Sequence, residues 1–136
     1  SNNTIASCKR FSRQPTTIFS FAEGTRNTKK KHELQDSPYR NLLKPKIGGI
    51  ATALCAFPEI EYLIDYTLKY KSHKRSFWDF LMGDLSDAKV SVKKYKIPPE
   101  LKNKNYIHDE NYRKDFRKWM DEIWIIKDKT IDDLKF

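Results

Sequence analysis

Apolar side chains follow two different periods along this chain. In residues 62–70, tyrosine, isoleucine and leucine take every second position, and mostly polar residues stand between them. A period of two over nine residues is typical of a β-strand. Residues 89–94 place Val90 and Val92 on one face and predict a second strand, which ends before Pro98.

Two other segments carry apolar residues three and four positions apart, which is the spacing of one helix face. Residues 46–57 predict a largely buried helix, because alanines leave it little polar surface, and its apolar positions are Ile47, Ile50, Ala51, Leu54 and Cys55. Residues 109–136 predict a long amphipathic helix with Tyr112, Phe116, Trp119, Met120, Ile123, Trp124, Ile131 and Leu134 on its apolar face.

The remaining segments are shorter. Residues 5–12 are expected to end a helix, and the β-branched and aromatic residues 16–21 predict a short buried strand. A polar turn at 22–26 and a long basic loop at 27–46 follow, and residues 76–81 predict one helical turn. A strand followed by a helix and another strand indicates an α/β fold with a parallel βαβ unit, and therefore a mixed sheet.

Composition restricts the class of protein. The chain has 136 residues, 38% hydrophobic and 33% charged, which fits one globular domain. The longest uncharged apolar stretch, residues 47–58, is too short to span a bilayer, and no signal peptide is recognisable. Cys8 and Cys55 match neither a metal-ligand spacing nor a disulfide framework, so a reducing compartment is expected and no metal or cofactor is predicted.

Positive charge is concentrated in one segment. The formal net charge is +9, and residues 9–46 contain ten basic residues against three acidic ones. Such a field attracts phosphate groups, anionic lipid or nucleic acid, although a basic surface that serves only solubility explains the charge equally well.

The candidate chemistry lies at the end of the first predicted strand. Gly24 would let the backbone approach a ligand, and Arg26 could bind a phosphate through two parallel N–H donors. Thr25 adds a hydroxyl donor, and Glu23 could orient Arg26 or accept a hydrogen bond from a substrate hydroxyl. Taken alone, this tetrapeptide more often marks an ordinary turn.

The surrounding sequence resembles a known family. Phe21-Ala22-Glu23-Gly24-Thr25-Arg26 is similar to the Phe-Pro-Glu-Gly-Thr-Arg block of the PlsC-like glycerolipid acyltransferases. The similarity is specific over residues 16–68 and looser over 69–136. It continues through Thr28, Lys31-His32, Leu42-Leu43, Pro45, Gly49 and the strand Ile64-Asp65-Tyr66-Thr67-Leu68. Ala22 departs from the family's proline, and Asn27 departs from its usual serine or aromatic residue.

The resemblance implies transfer of a fatty acyl group from acyl-CoA or acyl carrier protein to a lysophospholipid hydroxyl, most simply that of 1-acyl-glycerol-3-phosphate. It implies that Arg26 binds the acceptor's phosphate and that Glu23, Gly24 and Thr25 shape the pocket, with Lys31 and Lys46 as further basic contacts. The family's general base is a histidine followed five residues later by an aspartate. His32, His73 and His108 are followed at that distance by Ser37, Trp78 and Arg113, so no catalytic residue is predicted.

We therefore expect residues 1–136 to be the carboxyl-terminal part of one acyltransferase domain, with a partial PlsC-like fold and its catalytic half upstream. The family implies a place on the cytoplasmic face of a membrane, such as a bacterial inner membrane, with anchoring by upstream segments. An anionic membrane surface is then an expected partner and nucleic acid is not. A sheet lacking its other half should expose apolar surface, which predicts a homodimer or another association.

Two interpretations from other classes remain open. A non-enzymatic basic module would bind nucleic acid or anionic membrane through residues 9–46, although the loop 27–46 contains only one aromatic residue, Tyr39. A purely structural α/β domain would carry the motif by chance.

Several single residues have simpler interpretations. The three histidines are expected at the surface, the Trp119 and Trp124 stripe in the core, and Cys55 as a packed thiol. Asp65, inside an apolar strand, needs a hydrogen-bond partner if it is buried. Phe77, Trp78, Phe80 and Leu81 lie beside basic residues and are candidates for core packing first and for a lipid interface second.

Overall fold

The computed structural model describes residues 14–71, 82, 87–102 and 108–136. In these ranges the fold combines helices with one small sheet. In chain order its elements are helix α1 (Lys29–Leu34), helix α2 (Gly48–Ala56), strand β1 (Tyr62–Tyr70), strand β2 (Ala88–Lys96), a 3-10 turn (Pro99–Leu101) and helix α3 (Glu110–Asp133).

The sheet is an antiparallel pair in the described residues. Tyr62 of β1 lies opposite Lys96 of β2, and Tyr70 lies opposite Ala88. The bounds predicted for β1 are confirmed, and β2 extends the predicted strand at both ends. In the described residues the expected parallel βαβ unit and mixed sheet are wrong, because residues 16–21, its first strand, do not join the sheet and β1 and β2 run antiparallel.

Residues 16–21 do not form the predicted buried strand. Their side chains are exposed, with Phe19 at 82% and Phe21 at 92% of full accessibility. Strand propensity describes how side chains fit a pleated, half-buried surface, and this segment pairs with no strand of the described chain.

The basic segment 27–46 is not entirely a loop. Its residues Lys29–Leu34 form α1, and the Thr28 hydroxyl caps that helix by accepting a hydrogen bond from the Lys31 amide. A threonine N-cap is a recognised helix start, but α1 buries no residue, so apolar spacing gave no sign of it.

The core lies around α2 and α3, whose predicted positions are confirmed. Asp109 caps α3 by accepting from the Tyr112 amide, and the helix then runs unbroken for 24 residues. The Trp124 indole is buried and donates to the Leu43 carbonyl at 2.9 Å. Side chains from the basic segment, α2 and α3 form one cluster that includes Tyr39, Leu42, Ile47, Ala51, Leu54, Phe116, Met120, Ile123 and Trp124.

The sheet turns its polar face toward α3. Asp65 accepts from the Lys127 ammonium at 2.6 Å, and both side chains are about nine-tenths buried. The Thr67 hydroxyl donates to the second Asp65 oxygen at 2.9 Å. Asp65 therefore has the expected hydrogen-bond partner. It also has a positively charged partner, the Lys127 ammonium. Burial first, and the Asp65 carboxylate second, raise the pKa of the neighbouring Tyr95.

Lysines of the sheet also reach the last turn of α3. Lys69 donates to the Ile131 carbonyl at 2.8 Å, and Lys93 donates to the Thr130 hydroxyl at 2.6 Å. Lys89 donates to the carbonyl of Lys135. The last turn of α3 has no basic residue of its own, so the strands supply the positive charge that the carboxyl end of a helix favours.

Some predictions concern other residues. The helix end at 5–12, the helical turn at 76–81 and the cluster of Phe77, Trp78, Phe80 and Leu81 lie outside the described residues. Among the described helices, none combines the length and the apolar character needed to cross a membrane.

Replacement of Lys127 by methionine should strongly destabilise the protein, because the buried Asp65 carboxylate would lose both its countercharge and its ammonium donor. We expect Lys127→Met to lower the free energy of unfolding by about 3 kcal/mol in a urea titration. Lys114→Met is the matched control, because Lys114 forms an exposed ion pair with Glu110, and its cost should stay below about 0.5 kcal/mol. Equal losses in the two variants would show that the buried pair does not anchor the sheet.

Candidate functional site

The predicted turn is present immediately before the basic segment. The Gly24 amide donates to the Phe21 carbonyl at 2.8 Å, and Gly24 adopts a φ of +65°. That left-handed conformation favours glycine, because a side chain would crowd the following carbonyl. Gly24 therefore fixes where Thr25 and Arg26 leave the turn.

Two contacts fasten the turn to the following segment. The Ala22 carbonyl accepts from the Lys46 amide at 2.7 Å, and the Glu23 carboxylate accepts from the Leu43 amide at 3.1 Å. Glu23, half-buried, thus joins the turn to the backbone ahead of α2. A contact with Leu43 was not among the roles foreseen for Glu23.

Two lysine ammonium groups lie at the turn. Lys31, from α1, donates to the Thr25 hydroxyl at 2.5 Å. The Lys46 side chain lies against Gly24, where a β-carbon would come within 2.8 Å of its Cδ and 3.2 Å of its Nζ. The structure therefore brings Thr25, Lys31, Gly24 and Lys46 together.

Arg26 directly follows these residues and is exposed. Its guanidinium forms no ion pair with the residues that the structure describes, whereas Arg40, on the same segment, lies 3.8 Å from Asp132. A guanidinium and two ammonium groups beside a backbone turn are suited to hold an anion, and a phosphate could engage Arg26 through two oxygens.

Helix α3 holds the basic segment in place through residues that sequence reasoning missed. The Asp128 carboxylate accepts from the amides of Arg40 and Asn41 at 2.9 and 2.7 Å. The Tyr39 hydroxyl donates to Asp121 at 3.0 Å. Burial first, and this hydrogen bond second, raise the pKa of Tyr39 to about 12. The partners are more than 80 positions apart in sequence, so no local pattern indicates them.

The histidines were expected at the surface, and Cys55 was expected as a packed thiol. His32 is half-buried, not exposed as expected, because its Nε2 contacts the Tyr39 carbonyl. His108 is exposed as expected, and His73 lies outside the described residues. Cys55 is a partly buried thiol 3.9 Å from the Tyr112 hydroxyl. In the described part of the chain, no group of three or more His, Cys, Asp or Glu residues could hold a metal ion.

A separate shallow depression lies at the far end of the strand pair. It measures about 380 Å³ and is wide open to solvent, and its lining residues are Lys71, Asp87, Ala88, Lys89 and Phe136. None of these belongs to the turn at Gly24, and the exposed Lys71–Asp87 ion pair of 3.3 Å lies across part of its wall.

Comparisons of the chain with protein-family models, with curated proteins and with solved structures find no match. The acyltransferase resemblance of residues 16–68 therefore stays a prediction from the motif.

Alanine at position 24 should destabilise the turn. The positive φ of Gly24 costs an alanine about 1–2 kcal/mol, and the new methyl group would also displace the Lys46 side chain. Gly49→Ala is the matched control, because Gly49 lies in α2 with open space around it, and this change should raise stability by up to about 1 kcal/mol. Thermal unfolding of both variants checks the difference in sign; a neutral Gly24→Ala would contradict the described turn.

Proposed function

We propose that this chain supplies the acceptor-binding part of a lysophospholipid acyltransferase. The observation that carries the proposal is the cationic turn, which we define as Gly24, Thr25, Arg26, Lys31 and Lys46. The turn combines a left-handed glycine, a hydroxyl that accepts from Lys31, the Lys46 side chain against that glycine, and the exposed Arg26 next in the chain.

Phosphate is the ligand that this chemistry suits. Lys31 and Lys46 reach the turn from two different elements, and their charges are not neutralised by an ion pair with any described residue. Glu23, the nearest carboxylate in sequence, accepts from the Leu43 amide. An anion at the turn would relieve the repulsion between these cations, and charge-assisted hydrogen bonds to it are about twice as strong as neutral ones.

The exposed apolar residues before the turn support a lipid rather than a sugar or nucleotide phosphate. Ile18, Phe19 and Phe21 present large apolar surfaces to solvent, and the hydrogen bond from Gly24 to the Phe21 carbonyl fixes Phe21 beside the cationic turn. A lysophosphatidate molecule carries a phosphate and a hydrocarbon chain a few bonds apart, so it could use both surfaces at once.

In the proposed reaction the acceptor hydroxyl attacks the carbonyl carbon of an acyl thioester. The new ester C–O bond forms, the C–S bond breaks, and the hydroxyl proton passes through a general base to the departing thiolate. None of the three histidines has an aspartate at the family's spacing, so the base is proposed to come from outside these 136 residues.

We also propose the acyl donor and the place of the reaction. The donor would be acyl-CoA or acyl carrier protein, and the reaction would take place at the cytoplasmic face of a membrane, where lysophospholipids reside. The turn would orient the acceptor by its phosphate, and it would leave the choice of acyl chain to other residues.

Loss of the Arg26 guanidinium should weaken phosphate binding. We expect Arg26→Ala to raise the dissociation constant of short-chain lysophosphatidate at least tenfold in calorimetric titrations, because an ionic hydrogen-bonded contact is lost. Arg26→Lys should keep part of the affinity. Arg40→Ala is the matched control. This variant removes the same charge from the same segment, and Arg40 is also exposed.

Equal weakening by Arg26→Ala and Arg40→Ala would show that binding reflects the general positive charge and would contradict a specific site. Titration with lysophosphatidylcholine tests the headgroup, because choline offsets the phosphate charge. Titration with random-sequence DNA tests the basic-module alternative, which requires salt-dependent affinity that Arg26→Ala barely changes.

The 136-residue chain by itself should not turn over. We expect no thioester release above the buffer rate when acyl-CoA and lysophosphatidate are added, because no histidine–aspartate base is present. Thiol release measured with a chromogenic disulfide reports the rate directly. Turnover by the chain would refute the assignment of the base to another segment.

A further inference from the structure

The sheet has one apolar face, and that face is exposed. Directly opposed residues of an antiparallel pair share a face, so the even-numbered positions of β1 and β2 lie together. Four of them expose more than half of their surface: Ile64 and Val90 at 52%, and Tyr66 and Val92 at 56%. We call this surface the outer face; its exposed residues are Tyr62, Ile64, Tyr66, Leu68, Val90, Val92, Lys94 and Lys96.

This arrangement reverses the usual polarity of a sheet that packs on a helix. Antiparallel sheets normally bury the apolar face and solvate the polar one. Here the polar face lies against α3, with the Asp65–Lys127 pair between them, and the apolar face carries no described element. A contiguous apolar patch of this kind marks a surface that meets a partner.

The charges on the outer face have a single sign. Its strand positions include two lysines, at the end where β1 begins, and no carboxylate. Lys94 extends over the ring of Tyr62, with its ammonium 3.9 Å from the ring centre. The outer face therefore combines aliphatic side chains and tyrosines with lysine ammonium groups at one end. Surfaces that lie in the headgroup region of a bilayer have this composition.

Size and charge favour a bilayer over a second copy of the chain. Two strands of nine residues offer roughly 30 by 10 Å, or about 300 Å², whereas a stable dimer buries about 800 Å² on each partner. A second copy placed face to face would also bring its own Lys94 and Lys96 to the same surface, with no carboxylate there to offset them. An anionic membrane instead attracts the lysines while the apolar side chains enter the headgroup boundary.

We propose that the outer face is a docking surface for an anionic lipid bilayer. Tyr66, Leu68, Val90 and Val92 enter the boundary between headgroups and acyl chains, and Lys94 and Lys96 contact lipid phosphates. This inference does not depend on the cationic turn or on the proposed acyl transfer, because it uses different residues and needs no lysophospholipid.

Vesicle binding of the complete 136-residue chain tests the inference. The vesicles contain phosphatidylcholine alone or with 30% phosphatidylglycerol, and bound protein is measured by flotation. We expect binding only to the anionic vesicles, and a loss of about tenfold for Leu68→Asp. Leu34→Asp is the matched control, because Leu34 is also an exposed leucine, at 75% against 49% for Leu68, but lies on α1, and this variant should bind like the wild type.

Two lysine pairs separate a local contact from general attraction. Lys94→Ala with Lys96→Ala should weaken binding several-fold more than Lys118→Ala with Lys129→Ala, which removes two exposed charges from α3. Since a face variant could also unfold, Tyr66→Trp provides an independent reading: brominated lipid should quench a tryptophan at position 66 and not one introduced by Ile125→Trp.

Several results would overturn the inference. Equal binding of Leu68→Asp and Leu34→Asp would show that the outer face is not the contact, as would equal effects of the two lysine pairs. A dimer in sedimentation analysis that Leu68→Asp dissociates, with no vesicle binding by the wild type, would assign the face to a second copy. Calorimetric binding of short-chain lysophosphatidate should be unchanged in Leu68→Asp, which keeps this result separate from the proposed acceptor site.

Discussion

The ion pair between Asp65 and Lys127 is the contact on which the arrangement of the sheet depends. A carboxylate in the middle of a strand must be solvated or paired, and the ammonium of α3 meets it at 2.6 Å within the protein. Once this pair and Thr67 face the helix, the two-residue period of β1 forces Ile64, Tyr66 and Leu68 to the other side. The exposed apolar face is therefore a consequence of one buried charge.

Helix α3 serves both candidate surfaces. Its residues Asp121, Trp124 and Asp128 hold the basic segment by hydrogen bonds to a tyrosine hydroxyl, a carbonyl and two amides. Its residue Lys127 holds the sheet. The cationic turn is attached to the same framework through Leu43, which contacts both Glu23 and Trp124. One helix, α3, thus sets the positions of the cationic turn and of the strand pair β1–β2.

Local patterns predicted the elements whose signal is periodic. The alternation from Tyr62 to Tyr70 gave the bounds of β1, and apolar spacing located α2 and α3, because those periods follow from burying one face. The strand predicted at residues 16–21 is wrong, because β-branched and aromatic residues form a strand only where a partner strand is available. Helix α1 was missed because it buries nothing, so its only sign was the cap at Thr28.

Some residues of the candidate site were predicted from the sequence, and others could not be. Gly24 was predicted as the residue that lets the backbone approach a ligand, and Lys31 and Lys46 came from the family resemblance. The left-handed conformation of Gly24 is known only from the structure. The anchors Asp121 and Asp128 could not be predicted, because they meet Tyr39, Arg40 and Asn41 only in the folded chain. The alternation of residues in β1 also could not show which face of the strand meets α3. It sorts the side chains into two faces, but it does not say which of the two packs against the helix.

The lysines that reach the end of α3 have a consequence for how the molecule opens. The last turn of a helix normally frays at little cost in free energy. Here Lys69 of β1 donates to the carbonyl of Ile131 in that turn, and Lys89 of β2 donates to the carbonyl of Lys135 just beyond it. Unwinding the final turn would therefore release Lys69 of β1 and Lys93 of β2, and separating the strands would remove both donors from that turn. Backbone amides of the two strands and of the final helical turn should exchange with solvent as one cooperative unit, although Lys69 lies 62 positions before Ile131 and Lys93 lies 37 positions before Thr130.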